Sequence, residues 1–114
     1  MSLERIFKTL VEFGLSETDS RVYIIVSFKG PLVAKKIIEE LKITKQQLYA
    51  VLKKLKNKKI IEISDSRPSI ITAVPFEVVL KMLVDSKIDE ASDIQEKKEE
   101  LVSDWRAVSW NNNH

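Results

Sequence analysis

Between positions 45 and 58 the apolar residues Leu48, Val51, Leu52 and Leu55 fall at i, i+3, i+4 and i+7, which predicts an amphipathic helix with one buried stripe. Thr44 stands just before it and Gln47 follows three residues later, the pairing of a capping box. The same helical spacing runs through Leu3, Ile6, Phe7, Leu10 and Val11 over 3–13, with Ser2 placed to cap that helix and Gly14 to stop it. Ser16 with Asp19 three residues on opens a helix over 17–29, whose Val22, Ile25, Val26 and Phe28 are expected to face inward and which Gly30-Pro31 ends. Leu32-Val33 suffices for a very short strand. A third helix is expected over 34–41 with Ala34, Ile37, Ile38 and Leu41 buried, followed by a tight turn at Lys42-Ile43.

After Lys59 the hydrophobic period changes from 3.6 to 2. Residues 60–64 alternate well enough for a strand with one buried face, and 70–74 form a second β-rich run stopped by Pro75. Asp65, Ser66, Pro68 and Ser69 between them are turn formers. Two short helices joined by a tight turn, then two strands around a polar tip, make a winged helix-turn-helix. From Phe76 a helical pattern continues without Gly or Pro to about 110. Along it Leu80, Val84, Ala91, Ile94, Leu101, Trp105 and Val108 recur near spacings of three and four, with Ile88 just beside them. That recurrence suits a pairing seam between two chains. Lys87 and Lys98 interrupt the seam, and packing of this helix back on its own domain remains the other reading. The expected architecture is mainly α with a small β-wing: a winged helix-turn-helix over 1–75, a dimerisation helix over 76–110 and a disordered tail over 111–114.

Composition adds an asymmetry. The net charge of +2 over 114 residues is the sum of a balanced 1–34, +7 over 35–59 (nine lysines against Glu39 and Glu40), −1 over 60–75 and −4 over 76–114. No acid stands between Lys42 and Ile61. A basic block between neutral and acidic ends is the pattern of a nucleic-acid footprint, although a solvated lysine face has the same composition. No leader or membrane-spanning pattern is present, so a cytoplasmic protein without membrane contact is expected. Cysteine is absent, which removes disulfides and thiolate metal sites.

The inventory for catalysis is empty. There is one His, at position 114, and the two glycines serve as helix punctuation rather than a phosphate-cradling loop. Adjacent acids such as Glu39-Glu40 and Glu99-Glu100 diverge on a helix. Neither an enzyme nor a cofactor or metal is expected.

With Leu48 set inward and 100° per residue, Gln46, Ala50, Lys53 and Asn57 point away from the core, while Gln47 and Tyr49 lie on the flanks. The first turns of a recognition helix reach deepest into the major groove. Gln46, Gln47, Tyr49 and Ala50 are therefore the base-edge candidates, because Gln can pair with adenine and the Ala methyl can meet thymine. Lys35, Lys36, Lys45, Lys53 and Lys54 are phosphate candidates, and Arg67 at the tip of the 64–70 wing can enter the minor groove. Plainer roles stand beside these: Gln47 as a cap only, Tyr49 lying on the domain surface, Arg67 as a solvated loop residue. Tyr23 is expected in the core.

The stretches Phe13-Gly14-Leu15-Ser16, Arg21-Val22-Tyr23, Lys29-Gly30-Pro31, Leu48-Tyr49-Ala50-Val51-Leu52-Lys53-Lys54-Leu55, Arg67-Pro68 and Ala73-Val74-Pro75 resemble the TrmB-like winged-helix family of archaeal transcription regulators. The likeness runs from about Leu10 to Leu80, and more broadly the sequence is similar to MarR and ArsR types. The resemblance implies a homodimer that binds double-stranded DNA specifically and regulates transcription. The alternatives are a winged helix used for protein–protein assembly, or a non-specific nucleic-acid binder. Three departures stand out. Lys59 occupies the turn where the family usually has glycine, so Asn57 is expected to take the left-handed conformation instead. Val33 stands where a Thr or Ser cap is usual. Larger members continue into a sugar-binding domain, whereas this sequence ends at His114, so no small-molecule effector is expected.

Overall fold

The computed structural model describes residues 3–112, with side chains through Trp110. Its elements are α1 (Leu3–Glu12), α2 (Glu17–Lys29), β1 (Leu32–Val33), α3 (Ala34–Leu41), α4 (Lys45–Asn57), β2 (Ile61–Ile63), β3 (Ile70–Ala73) and α5 (Phe76–Asn112). The order is that of a winged helix-turn-helix followed by a long helix. The expected Ser2 cap lies outside the described residues. Of the tail expected to be disordered, Asn111 and Asn112 belong to α5, and Asn113 and His114 lie outside the described residues.

By its contacts the chain divides into a unit ending at Lys81 and a second from Met82 onward. The core of the first gathers Leu10, Leu15, Val22, Tyr23, Val26, Ile37, Leu48, Leu52, Leu55, Ile60, Ile61, Ile71 and Val79. All four stripe residues of α4 are buried, as their spacing requires. In α2 the phase differs from expectation. Asp19, Ser20, Val22, Tyr23 and Val26 form the buried face, and Phe28 is 69% exposed. Six residues beyond Val22, Phe28 is turned about 120° from it at 100° per residue. In α3 only Ile37 is fully buried; Ala34, Ile38 and Leu41 are half-buried. Tyr23 is a core residue whose hydroxyl donates to the Val74 carbonyl at 2.7 Å, tying α2 to the end of β3.

The sheet is antiparallel in the order β1-β3-β2, so the two-residue β1 completes the wing, with Leu32 opposite Ile71 and Val33 opposite Ile70. Ile61 and Ile63 of β2 face Ala73 and Ile71 of β3. Serines hold the tip. The Ser64 hydroxyl accepts from the Ile70 N–H at 2.8 Å, and the Ser69 hydroxyl donates to the Ser66 carbonyl at 3.2 Å. Arg67 sits within this turn.

Backbone punctuation explains the helix ends. Gly30 caps α2 at φ 80°, ψ −170°, a region open essentially to glycine. Lys42 closes α3 in the left-handed region at φ 53°, its N–H donating to the Ile38 carbonyl at 2.9 Å. At the end of α4 the expectation for Asn57 is corrected: Asn57 is helical and Lys59 itself adopts φ 64°. The reversal into β2 occurs two residues after the helix, where Lys59 N–H donates to Lys56 O and Ile60 N–H to Leu55 O. Any residue at that position inherits the conformation, at a cost for one with a Cβ of about 1–2 kcal/mol.

Candidate nucleic-acid interface

Helix α4 is fixed at both ends and along its inner face. At its start, Gln47 N–H donates to the Thr44 hydroxyl at 3.1 Å and Thr44 N–H donates to Gln47 Oε1 at 2.8 Å. This box satisfies two backbone donors that a helix start leaves open. It also engages one lone pair of the Gln47 side-chain oxygen and holds the amide at the helix start. Helix α3, in contrast, starts at Val33 without a side-chain cap.

Gln46, Ala50, Lys53 and Asn57, expected on the outer side of α4, are exposed, as are Lys45, Gln47, Tyr49, Lys54 and Lys56. They divide into two flanks. On one, Gln47, Ala50 and Lys54 line a shallow depression with Ser16, Thr18 and Asp19 at the start of α2. On the other, Tyr49, Lys53 and Lys56 line a groove shared with Lys35 of α3 and with Pro68 and Ser69 of the wing. The floor of this groove is apolar, formed by residues such as Leu52, Ile63 and Ile71. Lys45 Nζ lies 5.7 Å from the centre of the Tyr49 ring, a cation–π contact that holds both on the leading turn.

The lysines are not equivalent. Lys54 Nζ is 2.7 Å from Asp19 Oδ2, and that aspartate side chain is 1% exposed. Burial pushes the Asp19 carboxyl up, but the Lys54 ammonium together with the Ser16 N–H and hydroxyl outweigh it and leave its pKa lowered. Lys54 therefore serves as a clamp between α4 and α2. Lys36 stands 3.8 Å from Glu39. On α2, Lys29 bonds Glu40 of α3 at 2.9 Å, and that ammonium holds the Glu40 carboxyl below its usual range. Lys35, Lys45, Lys53 and Lys56 have no acidic partner among the described residues.

The sequence-based phosphate candidates thus separate. Lys35, Lys45 and Lys53 present uncompensated charge, whereas Lys36 and Lys54 are paired within the fold. Lys56 was missed. It lies at i+7 from Tyr49 and i+3 from Lys53, so the helical period was the signal that could have placed it on their flank. Arg67 is exposed at the wing tip.

Comparison with known proteins bears on the family and the fold. The family described as "Sugar-specific transcriptional regulator TrmB" matches residues 10–77. An HTH-type sugar sensing transcriptional regulator, TrmBL1 of Pyrococcus furiosus, is 28% identical over 98 residues, covering 86% of this chain and 29% of that protein. The chain therefore spans less than a third of that relative's length. Among solved structures, AbfR with its disulfide formed superposes with a TM-score of 0.54 at 22% identity, covering 89% of this chain and 82% of that one. Reduced AbfR bound to DNA gives 0.54 at 21% identity, covering 87% and 81%. At these identities the likeness is one of fold, and the AbfR disulfide has no counterpart in a sequence without cysteine. The match over 10–77 takes in α2 through β3, the whole of the helix-turn-helix and its wing, and on that match the chain belongs to the TrmB family of transcriptional regulators.

Proposed function

We propose that the protein is a homodimeric transcription regulator that binds double-stranded DNA specifically, with α4 in the major groove and the 64–70 wing at the minor groove. The observation that carries this reading is the acid-free outer face of α4, whose unpaired Lys53 and Lys56 meet Lys35 and the wing along one groove. Gln46, Tyr49 and Ala50 are the base-reading residues, and Gln47 positions the leading turn through its cap. Lys35, Lys45, Lys53 and Lys56 contact phosphates, and Arg67 enters the minor groove. Two copies pair through the exposed residues of α5, chiefly Val84, Ile88, Ala91, Ile94, Leu101, Trp105 and Val108, with half-buried Leu80 at the start of the stripe. The two recognition helices then address half-sites about one turn, roughly 34 Å, apart. The DNA-bound state of the structurally similar AbfR supports the same use of the fold. The relative's sugar sensing is not carried over.

Gel-shift titration against a randomised duplex pool, followed by selection, tests the reading. Binding at low salt, enrichment of an inverted repeat and a steep loss of affinity with salt are expected, since each neutralised phosphate releases counterions. Reversing charge at Lys45→Glu and Lys53→Glu should abolish the shift. Absence of binding at low salt, or a double variant that binds as well as the parent, overturns the proposal. Binding without sequence enrichment would leave the non-specific reading in its place. For the dimer, light scattering should give twice the 13.1 kDa chain mass, and a monomer at micromolar concentration overturns pairing through α5.

A further inference from the structure

We propose that Lys42 and Lys59 are phosphate-contacting residues at the two ends of the recognition helix, an assignment that rests on the DNA-binding reading above. They are the two non-glycine residues with positive φ among those described, at 53° and 64°. One stands in the turn before α4 and the other in the turn after it. The left-handed region disfavours any side chain with a Cβ; glycine enters it without penalty, and Asn or Asp offset the penalty with local side-chain hydrogen bonds. Lysine has no such short-range compensation. Both side chains are exposed, and neither ammonium has a hydrogen bond or ion pair among the described residues. For the fold alone these are expensive lysines, placed where glycine would serve better.

Their position gives the side chains a task. Thirteen residues at 1.5 Å make α4 about 20 Å long, against a major groove about 12 Å wide. Only its leading turns enter, so Lys42 stands in the turn just before the inserted end and Lys59 in the turn that leads from α4 to the wing, each beside the backbone that borders the groove. Lysine on its four-carbon stem is suited to such contacts, as a point charge without the directional demand of a guanidinium. Lys8, Lys29, Lys36, Lys54 and Lys87 are engaged by carboxylates; these two are not.

Glycine substitution separates the two consequences because it removes strain and charge together. Lys42→Gly and Lys59→Gly should each raise Tm by a few degrees. Each should also weaken binding to a mixed-sequence duplex at low salt by up to roughly tenfold and reduce the salt slope by about 0.9. Lys42→Arg and Lys59→Arg should keep affinity within about twofold of the parent, since the charge remains. Higher Tm with unchanged affinity and salt slope overturns the assignment for the site concerned. So does an arginine variant as weak as its glycine counterpart, and a lower Tm in the glycine variants overturns the strain argument. If the parent protein binds no DNA, the failure lies with the functional reading itself, whereas a parent that binds and glycine variants that bind equally well reject this inference alone.

Discussion

Helix α4 and the part of α5 beyond Lys81 are both amphipathic, yet their apolar faces have opposite fates. In α4 every stripe residue is buried within the first unit. In α5 Ile88 is 60% exposed, Ile94 and Leu101 are 66% exposed and Trp105 is 71% exposed. Their charges are opposite as well: α4 carries lysines and no acid, while 76–114 holds nine acids and five bases. A helix whose apolar stripe is already covered has only its polar face to offer, and a polyanion suits a lysine-rich one. A helix that leaves indoles, isoleucines and Leu101 in water offers an apolar surface of the kind that marks an interaction site. In the proposed function the same amphipathic pattern serves recognition in one region and association in the other.

The largest expected effect breaks the comparison at its core. Leu55→Ala removes a fully buried side chain from α4 and should lower stability by about 2–5 kcal/mol, read by urea unfolding of the helical signal. Trp105→Ala removes a larger side chain from an exposed position. It should leave the unfolding of the first unit unchanged under dilute conditions, while reducing the concentration dependence of Tm and the light-scattering mass. A Trp105 variant as unstable as Leu55→Ala, at every concentration, would show that α5 belongs to the folding core rather than to association.

A second, smaller effect distinguishes paired from unpaired lysines on α4. Lys54→Met leaves the buried Asp19 carboxylate without its cation and should cost about 1–3 kcal/mol at neutral pH, discounted from deeper pairs because the ammonium is half exposed. The sign with pH follows from the lowered Asp19 pKa. A depressed folded-state pKa contributes stability that is present above the ordinary Asp range and lost as pH falls through the folded value. The difference between parent and Lys54→Met should therefore shrink in acid. In DNA titrations Lys53→Met should reduce the salt slope by about 0.9, and Lys54→Met should leave it nearly unchanged. A pH-independent difference, or equal salt slopes for the two variants, would remove the distinction.

Much of this was legible because periodicity and punctuation are local. The spacing of Leu48, Val51, Leu52 and Leu55 gave the buried face of α4, the Thr44–Gln47 and Ser16–Asp19 pairs gave two helix starts, and the period change after Lys59 gave the wing. What escaped depends on partners distant in sequence. Nothing near Lys54 announces Asp19 thirty-five positions earlier, so a lysine that clamps two helices read as one free to meet phosphate. Phe28 escaped for another reason: Asp19 and Ser20 joined the buried face through hydrogen bonds, and an apolar count alone set the phase of α2 wrongly. The left-handed turn was expected from Asn57 because lysine is a poor choice there, and chain reversal nevertheless fell on Lys59.

The smallest effect decides what Gln47 does. Thr44→Ala removes the acceptor for the Gln47 N–H and should cost about 1 kcal/mol. Gln47→Ala removes only the reciprocal acceptor for the Thr44 N–H, a donor at an exposed position, and should cost less. If the side chain acts as a cap, loosening the leading turn should weaken binding by a similar factor for every duplex, because a positioning defect carries no base identity. If it reads a base edge, Gln47→Ala should instead lose discrimination at one base-pair position, worth about 1–3 kcal/mol there, while other positions keep theirs. Selection with the Gln47→Ala variant against the parent separates the two outcomes. The bond from Thr44 N–H to Gln47 Oε1 favours the uniform loss, because it holds the amide at the helix start and leaves one oxygen lone pair and the NH2 group for any other partner.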